Sequence, residues 1–589
     1  MRRLLFLLLL ATLLGLVLAG GGYLLLQHRA PSWGGAKVLT LTLDAQLEEQ
    51  ALEPTLPLLG GEERPSLALL YRGFLAARTD PSVAGVALYI QDAAFGLAKA
   101  QELRRQIAEL DRAGKPVRCY LETAGEGGNG TLEYYLASAC TSVALAPAGE
   151  INLLGLYADS PFLRGGLDKL RIEPSFLTAG AFKSAGEIFT EVRHSPAARV
   201  ALDALLDSFF GQIVDGIATS RKSDAATVRA WIDAAPLSAD AALEKGLVDE
   251  LAFPDEFRAK LDDLGDGDAE EVDFLDYARR GSGRLPGGKR VAILFAQGAI
   301  VRGGGGSDPF ASEAFLGSAD MARELRNLAD DDAVAAVVLR IDSPGGSALA
   351  SDLILREVEQ LRAKKPVVVS MSDVAASGGY YIAARATRIV AEPATITGSI
   401  GVVTGKLATG RFQEELLGVT HDPLQRGASA DLFSTLKPFD ERQTALMRRR
   451  IDEIYGRFLD HVSAGRQLSR AAVEAVAGGR VWTGQDALAV GLVDELGGLD
   501  RAVECAREAA NIPTTEKLPL VYLPKAPSLF ELFTARGNAS LEARLLELAS
   551  RRMEARLAAR LGIAAALRAP RPQLDLELDA PWQALARGL

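Results

Sequence analysis

The chain repeats itself, and this limits its possible folds more than any other feature. Ala242-Leu243-Glu244-Lys245-Gly246-Leu247-Val248-Asp249-Glu250-Leu251 returns as Ala487-Leu488-Ala489-Val490-Gly491-Leu492-Val493-Asp494-Glu495-Leu496, with Gly246 and Gly491 245 residues apart. Val38-Leu39-Thr40-Leu41 matches Val291-Ala292-Ile293-Leu294, and Val86–Ile90 matches Val337–Ile341. Lys115-Pro116-Val117 matches Lys365-Pro366-Val367, and Tyr134-Tyr135-Leu136-Ala137 matches Tyr380-Tyr381-Ile382-Ala383. The pieces keep their order in both halves, which chance similarity does not produce. Each half opens on a short apolar strand, followed by a second strand (Ala84–Ile90, Ala335–Ile341). A helix follows with apolar residues at three- and four-residue steps: Leu353, Ile354, Val358 and Leu361. Then come a third strand (Val117–Leu121, Val367–Ser370) and a helix near the Tyr-Tyr pair. Alternating strands and helices predict an α/β fold of parallel-strand layers, built twice.

Around this duplication the chain divides into a segment 1–29, a first repeat 36–260, a connector 261–288, a second repeat 289–512 and a tail 513–589. The connector is expected from its acidic start and Arg279-Arg280-Gly281-Ser282-Gly283. In the tail, Leu541 to Leu567 is rich in Ala, Leu, Arg and Glu and reads as an amphipathic helix, for packing or an oligomer contact rather than a membrane surface, because acidic residues are mixed into its polar face. At the amino terminus, Arg2 and Arg3 precede an uncharged apolar run from Leu4 to Leu26. Such a run can cross about 30 Å of hydrocarbon as a single transmembrane helix. A cleavable signal peptide ending near Ala19 is the rival; the run exceeds its apolar core of about 7–15 residues, which favours an anchor. The paired arginines then stay on the cytoplasmic side, and the body lies across the membrane.

Composition removes several function classes. The 589 residues are 48% hydrophobic and 24% charged, a globular balance. A formal net charge of −11 repels phosphate, so nucleic acid is not an expected partner. Cys119, Cys140 and Cys505 are far apart in sequence, form no CxxC and neighbour no histidine pair, so neither a disulfide framework nor a zinc site is expected. The histidines are only His28, His194, His421 and His461.

Chemistry shows where the halves differ. The second half has Asp342-Ser343-Pro344-Gly345-Gly346-Ser347 straight after a strand, where the first has Gln91-Asp92-Ala93-Ala94-Phe95-Gly96. It also has Ala375-Ala376-Ser377-Gly378-Gly379-Tyr380 between strand and helix, where the first has Gly127-Gly128-Asn129-Gly130-Thr131-Leu132-Glu133. Taken singly, each glycine motif reads as a tight turn. Together, in one repeat only, they point to a site. A serine at a strand–turn–helix bend exposes its hydroxyl beside free amides, and a second glycine turn offers another amide. Two such donors make an oxyanion hole, here Gly378 with Gly345 or Gly346.

A nucleophilic serine needs a base. His421 and His461 follow Ser377, but neither sits in a motif that pairs with it. A lysine serves if burial lowers its pKa from about 10.4 toward neutrality. The first half offers Gly180-Ala181-Phe182-Lys183-Ser184-Ala185-Gly186; the matching place in the second, near Ser429-Ala430, has no lysine. By composition alone Lys183 reads as a solvated surface charge. Two decayed copies that each kept one part would instead form one composite site.

These residues resemble the signal peptide peptidase A family in its long, two-repeat, membrane-anchored form. The resemblance rests on Ser343-Pro344-Gly345-Gly346-Ser347, Ala376-Ser377-Gly378-Gly379-Tyr380, Thr397-Gly398-Ser399-Ile400-Gly401 and Phe182-Lys183-Ser184-Ala185, and runs from the anchor to about residue 512. Phe182 stands where the family commonly has tyrosine. The resemblance implies a Clp protease/crotonase-like fold and a serine–lysine dyad peptidase. It implies Ser377 as nucleophile, Lys183 as general base and Ser399 as the residue orienting the lysine. It further implies no metal or nucleotide, a homotetramer, and signal peptides and other apolar peptides as substrates at the inner membrane. Three other readings fit parts of the sequence: a crotonase-like acyl-thioester enzyme, an inactive membrane scaffold that holds peptides, and a serine hydrolase using His421 or His461.

Overall fold

The computed structural model describes residues 35–44, 47–50, 65–265, 267, 269–280, 288–307, 314–513 and 518–524. The expected membrane anchor and the expected tail helix lie outside the described residues. Among the described residues no helix is long and apolar enough to cross a membrane.

The first half supplies strands β1 (Lys37–Asp44), β2 (Val83–Asp92), β3 (Val117–Leu121), β4 (Ser142–Leu145), β5 (Glu173–Ala179), β6 (Glu250–Leu251) and β7 (Glu270–Asp273). Its main helices are α1 (Leu67–Thr79), α2 (Leu97–Arg112), α3 (Thr131–Ala137), α4 (Pro196–Ser220) and α5 (Phe274–Arg280). The second half supplies β8 (Arg290–Gln297), β9 (Ala299–Val301), β10 (Val334–Ser343), β11 (Val367–Ala376), β12 (Arg388–Ala391), β13 (Ile396–Gly398), β14 (Val402–Ala408), β15 (Val481–Thr483), β16 (Glu495–Leu496) and β17 (Leu520–Leu523). Its main helices are α6 (Ala348–Arg362), α7 (Gly378–Ala383), α8 (Glu441–Arg466) and α9 (Leu499–Ala509).

The first sheet runs β6-β4-β3-β2-β1-β7, all parallel. The second repeats this order as β16-β12-β11-β10-β8-β17, also parallel, and adds β13 and β15 on the far part of β11. Parallel strands covered on both faces are buried along their whole length. All ten residues of β11 are buried accordingly. In α6 the apolar stripe consists of Ile354, Leu355, Val358 and Leu361; Leu353, expected in it, is half exposed.

Three sequence expectations change. The segment read as a connector contributes β7, which pairs with β1, and α5, which packs on α1. The start of the expected tail likewise contributes β17, the partner of β8. Each sheet thus recruits its edge strand from beyond the segment where repetition is visible. A four-residue edge strand carries too little pattern to be seen in a charged stretch. The third change is a disulfide: Cys119 in β3 and Cys140 after α3 are bonded, with Cα atoms 6.0 Å apart. The 21-residue spacing hides a pair that only the β3–α3–β4 path brings together.

The two halves are locked by charge as well as by packing. Arg340 of β10 is fully buried and reaches Glu49 and Glu102 of the first half at 2.8 Å each, with Ser370 and Ser372 at 2.9 and 3.0 Å. Arg340→Met would leave two buried carboxylates without their guanidinium. A loss of about 3–5 kcal/mol is expected, measured as a lower denaturant midpoint; an unchanged midpoint would show that the pair does not hold the halves together.

Candidate active site

The site is assembled by an antiparallel ribbon that crosses between the halves. β5 of the first pairs with β14 of the second in a continuous register from Glu173↔Ala408 to Ala179↔Val402. The last pair places Gly180–Lys183, just past β5, beside Ser399–Gly401, just before β14. Phe182 N–H then donates to the Gly478 carbonyl at 2.7 Å. The fit is close: a β-carbon on Gly479 would lie 2.5–2.6 Å from the N, Cα and Cβ of Lys183. The Arg480 guanidinium, over the Phe182 and Trp482 rings at 5.7 and 4.1 Å, closes the loop from outside.

From this loop Lys183 Nζ lies 3.1 Å from Ser377 Oγ, 2.9 Å from Ser399 Oγ and 3.0 Å from the Ser399 carbonyl. No carboxylate ion-pairs with it among the described residues. Burial alone therefore acts on the amine and lowers its pKa to about 7. Ser377 is the one partly exposed residue between Met371 and Ala384. Its backbone is left-handed in φ (53°), held by its N–H to the Gly398 carbonyl (2.9 Å) and by its carbonyl accepting from Tyr381 N–H (2.8 Å). A non-glycine residue at such a φ persists only where its surroundings fix it. Ser399 is also at positive φ (52°), with its N–H on the Arg480 carbonyl at 2.8 Å.

The glycine turn after β10 abuts the serine. A β-carbon on Gly345, at φ +106°, would fall 2.5 Å from Gly378 N and 2.8 Å from Ser377 Cβ. Gly345 N–H is engaged by Ser343 Oγ at 3.2 Å. The N–H groups of Gly346 and Gly378 meet no acceptor among the described residues. Gly378 opens α7, so its amide is free for the reason that any first-turn amide is free. A hydroxyl, a desolvated amine and two unengaged amides thus converge, the parts required for acyl transfer.

The histidines do not enter this geometry. His421 pairs with Gln413, His461 with Asp352 beside Tyr381, and His194 packs on Phe162. His28 lies outside the described residues.

The first half shows how the copy lost these parts. Tyr134 and Tyr380 hydroxyls donate at 2.8 Å to the carbonyls of Leu247 and Leu492, which aligns the two helices residue by residue. Counting back three positions puts Thr131 where Ser377 stands. Its hydroxyl is already engaged by Asn129 (2.7 Å) and by Gly155 N–H (2.9 Å). Glu133 stands at the place of Gly379, and its carboxylate accepts from Ala93 N–H at 3.3 Å in the counterpart of the Pro-Gly-Gly turn. The copy therefore fills its own cradle.

Sequence reasoning missed the Gly478-Gly479 receptor for the lysine loop. The signal was present: at the 245-residue offset the first half has Asp233-Ala234. A side chain at Gly479 must displace Lys183, whereas one at Gly478 meets its nearest neighbour at 3.7 Å. Gly479→Ala is expected to cut peptide hydrolysis at least about tenfold more than Gly478→Ala. Equal rates for the two variants would show that this packing does not place the lysine.

The peptidase family S49 model matches residues 109–266 and 359–513, one span in each half. A chloroplastic serine protease SPPA of Arabidopsis thaliana is 34% identical over 514 residues, 85% of this chain and 73% of that protein. Protease 4 of Haemophilus influenzae is 34% identical, covering 74% of this chain and 71% of the relative; Protease 4 of Salmonella typhi is 32% identical, covering 80% and 76%. With the duplicated α/β fold and a serine set among glycine amides, these matches place the chain in peptidase family S49, as a serine peptidase.

Proposed function

We propose that the protein is a membrane-anchored endopeptidase that uses a Ser377–Lys183 dyad to degrade cleaved signal peptides and other apolar peptides. The observation that carries this reading is the surroundings of the Lys183 amine. A neutral amine has two N–H groups and one lone pair. The two Ser399 oxygens, at 2.9 and 3.0 Å, suit the two N–H groups and leave the lone pair toward Ser377 Oγ. Ser399 thereby acts as the orienting residue.

In the reaction, Ser377 Oγ attacks the peptide carbonyl as Lys183 takes its proton. The carbonyl oxygen becomes an oxyanion held by the amides of Gly346 and Gly378; Gly345 is the poorer candidate of its pair because its N–H is engaged. The Lys183 ammonium then protonates the leaving amine, which breaks the peptide bond and leaves an acyl-enzyme. Lys183, neutral again, takes a proton from water as the water oxygen attacks the acyl carbonyl, and returns it to Ser377 Oγ as the ester bond breaks.

The apolar run Leu4–Leu26 supports an anchor in the inner membrane, and the Cys119–Cys140 disulfide suits a body on the oxidising, extracytoplasmic side. A homotetramer belongs to the same reading, by resemblance.

The test is fluorogenic-peptide hydrolysis by the full chain in detergent. Ser377→Ala and Lys183→Ala should each lose at least about 10³-fold in kcat while eluting at the wild-type size. The base acts as the free amine, whose fraction grows as the pH rises through its pKa. With that pKa lowered to about 7, kcat/KM should climb from pH 6, turn near pH 7 and level off by pH 9. An active Lys183→Ala variant, or a flat profile over this range, would remove the dyad.

A further inference from the structure

The two strands that carry the reacting groups lose their ladder just before the site. β10 and β11 pair evenly from Val337↔Val367 to Ile341↔Met371 and resume only at Ser343↔Ala375. One residue of β10, Asp342, thus faces three of β11: Ser372, Asp373 and Val374. Within this gap side chains take the place of the ladder, which returns beside the turn and Ser377 only at the single pair Ser343↔Ala375. Asp342 Oδ1 accepts from Val374 N–H at 3.2 Å, in place of a ladder bond. Asp342 Oδ2 lies 2.8 Å from Lys99 Nζ, and that nitrogen is 3.5 Å from both Asp373 Oδ2 and Glu49 Oε1.

Lys99 belongs to the first half. It sits in the first turn of α2, whose N-cap, Gly96, has no side chain to cap the helix. Asp373 provides the cap from the other half: it accepts from Gly96 N–H at 3.1 Å and from Lys99 N–H at 3.0 Å. A β-carbon at Gly96 would fall 2.4 Å from that carboxylate. The end of α2 therefore grips β10 four residues before Gly346 and β11 four residues before Ser377. The alignments Ile90 with Ile341 and Val117 with Val367 put Gln91 and Thr123 at the places of Asp342 and Asp373 in the first half. The first alignment puts Ala350 at the place of Lys99 in the second. The clamp is thus present once, as the reacting groups are.

We propose that Lys99 is a positioning residue for peptide hydrolysis: through Asp342 and Asp373 it fixes the Gly345-Gly346 turn against Ser377, so the first half shapes the oxyanion hole as well as supplying the base. Lys99 touches no reacting atom. Its effect falls on the transition state, where the oxyanion must meet both amides, and not on ground-state peptide binding. The inference rests on reading Ser377 as the nucleophile and Gly346 as an oxyanion donor.

The experiment is steady-state hydrolysis of a fluorogenic peptide by the detergent-solubilised full chain. Lys99→Met, Lys99→Arg, Asp342→Asn and Ser377→Ala would be compared with wild type, together with thermal unfolding. Displacing a reacting group by about 1 Å costs on the order of 10²-fold. Lys99→Met and Asp342→Asn are expected to lower kcat by about this factor with KM within about twofold. Lys99→Arg should recover part of the loss. The pH at which activity turns should stay at its wild-type place, because the base is untouched. Asp342→Asn keeps an oxygen for Val374 N–H and leaves Lys99 with Asp373 and Glu49, so it decides the matter if Lys99→Met does not fold. A wild-type kcat in Asp342→Asn, or variants that lose thermal stability or KM alone, would overturn the proposal. An active Ser377→Ala variant would overturn it together with the reading beneath it; an inert Ser377→Ala beside a fully active Asp342→Asn would overturn this inference alone.

Discussion

The meeting of Lys183 with Ser377 and Ser399 depends on the antiparallel ribbon between β5 and β14. It is the only sheet among the described residues made of one strand from each half. Side chains alternate along a strand, so a slip of one residue would turn each one to the opposite face. Here the register ends at Ala179↔Val402, and the chain on both sides turns at once into the loops that carry Lys183 and Ser399. A one-residue slip would move the lysine loop about 3.3 Å along the ribbon, more than its hydrogen bond to Ser377 can absorb. Glycine holds the register: a side chain at Gly405 would strike the Phe176 ring, and one at Gly180 would strike the backbone of Gly478.

Two lysines of the first half reach into the second and meet opposite environments. Burial disfavours the charge on both. At Lys99 the carboxylates of Asp342, Asp373 and Glu49 overcome that penalty and hold the pKa above its ordinary value. At Lys183 no carboxylate opposes it, and the amine titrates near neutrality. One side-chain type thus serves as a permanent cation and as a group able to accept a proton, and the difference lies in the neighbours. Exchange of roles is barred by geometry: a carboxylate beside Lys183 would keep it protonated, and a neutral amine at Lys99 would leave three carboxylates facing one another.

The residues announced the fold more fully than they announced the site. Repetition and strand–helix alternation gave the two parallel layers, because apolar strands buried on both faces are long and compositionally plain. β7 and β17 stayed hidden because four residues at a sheet edge do not establish a period. The serine and both glycine turns could be read because special backbone angles need glycine, and glycine is visible. The desolvated state of Lys183 could not be read from its neighbours in sequence. Its desolvation comes from Gly478-Gly479, Ser399 and Arg480, nearly 300 residues away at the far end. The Cys119–Cys140 bond was missed for the same reason: spacing along the chain does not report spacing through a β–α–β path.

Duplication explains why this division of labour is stable. A symmetric pair of sites would need each half to keep a strained serine, a glycine-lined turn and a desolvated lysine, all of which weaken a fold. With Ser377 and both glycine turns in one half and Lys183 in the other, each copy carries part of that burden. The remaining positions are free to strengthen packing. Thr131 does so: its hydroxyl is bonded to Asn129 and to the Gly155 N–H at the place where Ser377 stands in the second half. The consequence is obligatory cooperation. Lys183 and Ser377 come from different halves, so the contacts that hold the halves together, the Arg340 and Lys99 clusters and the β5–β14 ribbon, also keep these two side chains within hydrogen-bond distance.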